Sequence, residues 1–346
     1  MSMSRVANRV HQAIGAAAAG ILLFHPGPAS AHVKWFCVYD IAGQPAGLEN
    51  VLCQDFELLT GFAIAVLLMG CLFENTFVGA ALIRSFDRIS GVLRSNTDTL
   101  IRAVLGFFLI SLWSLGGIIL TPELTTTSPL IPILQLFMAA CLLSPKTLPL
   151  AAAGLVFLFG DGVVHYGLFH MVDYPIFLGM AAYLAATGLK RDIFGFSPLD
   201  VLRWSVAITL MWASVEKWAY PEWSYPLFIS HPSLSMGYEP AFFMRAAGVV
   251  EFTLSFALIC TPLARRIAAV MLIATFISAI VEFGKIDAIG HSPIIVVLIA
   301  IFADQTKAKQ RTWSLAAIPL QYGGALAAFV ALYYLGHAIA FGTPLS

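Results

Sequence analysis

Residues 281–302 read VEFGKIDAIGHSPIIVVLIAIF. Glu282, Lys285, Asp287 and His291 crowd the first half, and the second half after Pro293 carries no polar side chain at all. A soluble helix would spread its charges along one stripe. Charge confined to one end of an apolar run is the pattern of a segment that leaves water and enters lipid.

The rest of the chain repeats that pattern. It has 346 residues, of which 59% are hydrophobic and 11% charged, where a soluble domain carries about a quarter charged residues. Nineteen basic and nineteen acidic residues cancel, so no net field favours nucleic acid. About ten apolar runs are long enough to be spans: 57–75, 100–121, 129–144, 148–169, 173–189, 199–217, 240–260, 266–283, 290–304 and 315–340. The expected fold class is all-α, a polytopic transmembrane bundle of about ten spans.

The first residues read as a secretion signal. Arg5 and Arg9 precede the short apolar run 13–24, the breaker HPGP follows, and Ala29-Ser30-Ala31 matches a cleavage site. Cleavage after Ala31 leaves His32 first, followed by a short exported segment, 32–56. The alternative is an uncleaved anchor helix. With His32 outside, the inner loops and adjoining helix ends hold thirteen basic residues (Arg84, Arg88, Arg94, Arg102, Lys146, Lys190, Arg191, Arg203, Arg265, Arg266, Lys307, Lys309 and Arg311) and the outside keeps four (Lys34, Lys217, Arg245 and Lys285). The positive-inside rule then places the chain in a bacterial inner membrane with both mature termini periplasmic.

Two stretches echo each other. Arg102 opens a span that reaches Trp113, Arg203 one that reaches Trp212, and the acidic loops 122–124 and 221–223 follow. Further on, FGDGVVHYGLFHMVDYPIFLGMAAYL at 159–184 matches the opening quotation: an acid, a His, then Pro-Ile. Residues 100–189 and 199–304 thus read as two parallel four-helix repeats, with flanking helices at 57–99 and 315–346.

The second block resembles the DoxX/DoxD-type integral membrane family. The resemblance rests on Arg203, Glu216-Lys217, the run GVVEFTLSFALICTPLARRIAA with Glu251 inside it, and Gly290-His291. It implies a membrane subunit of a quinone-linked redox system working with a redox partner. The segment HVKWFCVYD lies outside the family pattern.

Candidate chemistry gathers at the exported side. Asp161 and His165 are one turn apart, so they share a helix face. Glu216-Lys217 closes one span, Glu239 and Arg245 open the next, and Glu282, Lys285 and His291 end the quoted turn. Glu251 falls near the bilayer midplane, where an ionisable group almost always faces the bundle interior or a cavity. These residues predict an outward-open polar cavity for a small ligand or metal ion, floored by Glu251; the structural alternative is ion pairs that fix helix packing. A mature N-terminal His32, with His231 or His337, would suit copper or another divalent metal. The loop 218–236, WAYPEWSYPLFISHPSLSM, reads as an interfacial aromatic belt, or else as a lid carrying His231. Cys37 and Cys53 on the exported side suggest a disulfide; Cys71, Cys141 and Cys260 read as buried hydrophobes. A third reading is a structural or assembly factor whose exported segment, 32–56, docks a periplasmic partner. Walker, dinucleotide-binding, CxxC and CxxCH motifs are missing, so ATP-driven pumping and covalent haem are excluded as readings.

Overall fold

The computed structural model describes residues 33–235, 237–305 and 317–344. The signal 1–31, His32, Lys307, Lys309 and Arg311 lie outside them. Apart from two isolated bridges, the regular structure is helical. In chain order the α-helices are α1 (Val33–Phe36), α2 (Leu48–Val51), α3 (Gln54–Glu74), α4 (Phe77–Ile89), α5 (Gly91–Ser95), α6 (Thr97–Leu115), α7 (Leu130–Cys141), α8 (Leu148–Tyr166), α9 (Leu168–Met171) and α10 (Pro175–Leu189), then α11 (Pro198–Ala219), α12 (Tyr225–Ser230), α13 (Pro240–Ala257), α14 (Pro262–Phe283), α15 (Lys285–Ala303) and α16 (Ala317–Phe341).

Six of the described helices are long and apolar enough to cross a membrane: α3, α6, α8 with the turn before it, α14, α15 and α16. The chain is therefore a multi-pass membrane protein. Helices α7 and α10 are apolar but shorter. The other two expected spans, α11 and α13, are 22 and 18 residues long and carry Glu216, Lys217 and Glu251.

Local sequence sets the helix ends. Prolines occupy the first turn of α10, α11, α13 and α14, where a missing N–H is no loss. Ser197 caps α11 by accepting from the Asp200 amide at 3.2 Å, and Glu239 caps α13 through the amides of Ala241 and Phe242 at 3.0 and 2.8 Å. Helices α8 and α14 both stop at a glycine, Gly167 (φ 82°) and Gly284 (φ 80°), a left-handed conformation that only glycine adopts readily.

Packing closes these helices into a ring. Helix α6 packs on α7, α7 on α8, α8 on α10, α10 on α11, α11 on α13, α13 on α14, α14 on α15, and α15 back on α6. Each block of four thus touches the other through its first and last helices, the arrangement two parallel repeats would produce. Helix α3 lies against α13 and α14, and α16 against α11 and α3.

A buried charge network ties the ring at one end. Asp304, after α15, lies 3.6 Å from both Arg203 of α11 and Arg265 of α14. Arg266 donates to the Asp304 carbonyl at 2.7 Å and to Asp87 of α4 at 2.7 Å. Arg265 and Arg266 are each 1% exposed, so these ions rely on one another rather than on water. Asp304→Asn removes the carboxylate that α11 and α14 share. It should lower stability by about 3 kcal/mol, read as a fall in the thermal midpoint of the detergent-solubilised protein, whereas Asp192→Asn on the exposed 190–196 loop should leave the midpoint unchanged.

Candidate functional site

A cavity of about 710 Å³ lies between α11, α13, α14 and α15 at the end of the bundle opposite the arginine network. Most of its wall is apolar or aromatic, including Phe177, Phe242, Phe276 and Phe283. Four carboxylates reach it (Asp173, Glu216, Glu251 and Asp287), together with Lys217 and His291. Volume and wall are those of a small-molecule site with a few placed polar groups.

The ionisable groups form three sets. Lys217 on α11 and Glu251 on α13 pair at 2.8 Å. Asp287 and His291, one turn apart on α15, approach to 3.0 Å, and the His291 ring lies between Trp35 at 5.0 Å and Phe276 at 4.7 Å, centroid to centroid. The third set is centred on Lys34, whose ammonium bonds to Asp173, just before α10, and lies 2.6 Å from Glu216 of α11. Burial opposes its charge, but Asp173 and Glu216 outweigh that and hold the ammonium above the ordinary lysine range.

The segment before α3 is therefore part of the site. Lys34 brings Trp35 into the cavity wall. The indole fits only because residue 290 is glycine: a β-carbon there would stand 2.0 Å from the Trp35 ring. Further along, the Ala46 amide donates to the Ala219 carbonyl at 2.8 Å, and the hydroxyls of Tyr220 and Tyr334 donate to the carbonyls of Gly43 and Ala46 at 2.7 and 2.6 Å.

Of the residues expected from sequence, Glu216, Lys217, Glu251 and His291 meet at the cavity. Asp161 and His165 do not. They share a face of α8, 3.6 Å apart, but its buried face runs through Leu155, Leu158 and Gly162, and His165 is exposed. Arg245 turns to Asp55 of α3 at 3.1 Å. Glu282 pairs with His231 at 2.7 Å, and Lys285 lies outside the cavity wall. In the 218–235 segment, Tyr220, Trp223, Leu227, Phe228 and Leu234 line the cavity, and the His231–Glu282 pair pins the segment to α14.

His231, His337 and the two cysteines are not arranged as expected, and His32 lies outside the described residues. His337 is fully buried; one ring nitrogen lies 2.8 Å from both the Tyr220 hydroxyl and the Ile41 carbonyl, and the other 2.8 Å from Thr343. His231 is committed to Glu282. Among the described residues no three His, Cys, Asp or Glu side chains are grouped to hold a metal ion. Cys37 and Cys53 are free thiols: Cys37 lies beside the Leu227 backbone, while Cys53 caps α3.

Sequence reasoning missed Lys34, Asp173, Asp287's role and Glu123. A signal for Asp173 existed. It stands two residues before Pro175-Ile176, as His291 stands two before Pro293-Ile294. Nearby His170, buried and close to the Lys34 ammonium, is pushed down to about 4 and stays neutral. Glu123, in the loop after α6, has both carboxyl oxygens sealed from solvent, and burial pushes it up to about 7 against the pull of Lys34.

Residues 199–285 match the family model described as DoxX. The match runs through α11, the 218–235 segment, α13 and α14 and stops at the first residue of α15, short of Asp287 and His291. No curated protein and no solved structure matches the chain.

A carboxyl whose folded value is raised costs nothing below its unfolded value of 4.5 and destabilises progressively as pH rises from there through about 7. Glu123→Gln should thus raise the thermal midpoint at pH 8, by the equivalent of about 1–3 kcal/mol, and change it little at pH 5.

Proposed function

We propose, from the premise of a DoxX segment set in a multi-pass helical bundle, that the cavity binds a lipophilic small molecule with a polar head, of the quinone class, and that the chain is the membrane subunit of a redox system. The observation that carries this reading is an apolar-walled volume whose few ionisable groups are held in three paired sets. The wall suits a hydrocarbon or aromatic body. The head chemistry follows from charge. Even with Lys34 counted beside Lys217, four carboxylates leave an acid surplus, which repels carboxylate or phosphate ligands and favours a group that donates hydrogen bonds or protons. A quinol hydroxyl is such a group. Carboxylates that share cations at 2.6–2.8 Å are placed to accept those bonds, and the Trp35–His291–Phe276 stack offers a flat ring an aromatic wall.

This reading is preferred to metal transport because His231 and His337 are engaged by other partners, and it refines the outward polar cavity into a mostly apolar one. Inner-membrane location and a periplasmic redox partner belong to the same proposal, supported by the basic residues at the Arg265 end and the DoxX match. The test is extraction of the purified protein, followed by titration with a short-chain quinol read by tryptophan fluorescence. Co-purifying quinone and saturable quenching are expected, and Glu251→Gln should weaken binding about tenfold by removing one charge-assisted bond. No saturable binding, together with no extracted quinone, would overturn it.

A further inference from the structure

Helix α4, between α3 and α6, takes no part in the cavity. Its sequence, FVGAALIRSFDRI, is amphipathic at helical spacing, and at about 100° per residue its side chains sort onto three faces. The first faces protein. Arg266 donates to Asp87 at 2.7 Å and to the Ile83 carbonyl at 3.3 Å, and the Phe86 ring meets Phe302 at 5.5 Å. The second carries Val78, Leu82 and Ile89, with Val78 54% and Ile89 69% exposed. The third carries Arg84 and Arg88, one turn apart and both exposed.

Each face constrains the helix. The protein face anchors α4 to α14 beside the buried arginine network, so it cannot lift away from the bundle. The apolar face continues into Val92 and Leu93 of the next turn, both exposed, and the helix lies between the ends of two span-length helices, α3 and α6. Acyl chains are the medium available to such a face. On the third face, no ion pair or hydrogen bond engages the Arg84 and Arg88 side chains among the described residues. Asp87, the nearest acid in sequence, is taken by Arg266. Like charges at this spacing oppose the helix, and two guanidiniums one turn apart match a phosphate that accepts from both.

We propose that α4 lies in the membrane interface, with Val78, Leu82 and Ile89 among acyl chains and Arg84 and Arg88 holding the headgroup phosphate of an anionic phospholipid. The two guanidiniums leave a net positive site, which selects a lipid of net negative charge over a zwitterionic one. The site is independent of the quinone reading, being at the other end of the bundle.

The experiment is native mass spectrometry and thermal unfolding of the detergent-purified full chain with phosphatidylglycerol, phosphatidylcholine or inorganic phosphate. Phosphatidylglycerol should be retained and raise the midpoint; the other two should not. Arg84→Gln with Arg88→Gln should bind phosphatidylglycerol about thirtyfold more weakly at an unchanged lipid-free midpoint, and Arg84→Lys with Arg88→Lys should keep most of the binding. Equal retention by the double glutamine variant, an equal response to phosphatidylcholine, or an equal response to inorganic phosphate would each overturn the proposal.

Discussion

A lysine buried between two carboxylates organises this molecule. Taking one ammonium out of water costs several kcal/mol, and Lys34 is 4% exposed. The cost is offset because Asp173, from the turn before α10, and Glu216, from α11, converge on it from the two blocks of the ring. A segment with no apolar periodicity of its own thereby becomes a fixed wall. Trp35 enters the cavity against Gly290, and residues 41–46 are stitched to the ends of α11 and α16. Without Lys34, two acids would face each other across an apolar volume.

The turns after α8 and α14 lead to different ends. Gly167 stops α8 and Gly284 stops α14, both at positive φ (82° and 80°). After Gly284, α15 starts at once and carries Asp287 and His291 into the cavity. After Gly167, the short α9 intervenes and Asp173 arrives from the other side. The cavity lies within the second block and borrows one acid from the first. The DoxX match covers the second block up to Lys285 and none of the groups that α9, α10 and α1 contribute.

The helices were legible because lipid leaves little choice: an apolar run must satisfy its own backbone. Glu216, Lys217, Glu251 and His291 were legible for a related reason, since ionisable groups within apolar helices seldom face lipid. Asp161 and His165 lie away from the cavity, because spacing shows that two residues share a face but not which neighbour that face meets. Lys34 was hidden because a four-residue helix has no period to read, and its partners are 139 and 182 positions away in sequence. The Cys37–Cys53 pairing rested on compartment chemistry, and each thiol follows a different element.

The most direct measurement is a stability cycle on that lysine in the detergent-purified protein. Lys34→Met leaves Asp173 and Glu216 without their shared cation and should cost about 3–5 kcal/mol of stability. Adding Asp173→Asn and Glu216→Gln to the same chain should recover most of that loss, because neutral partners no longer need the ammonium. A Lys34→Met variant as stable as the parent, or a triple variant no more stable than the single one, would contradict the account.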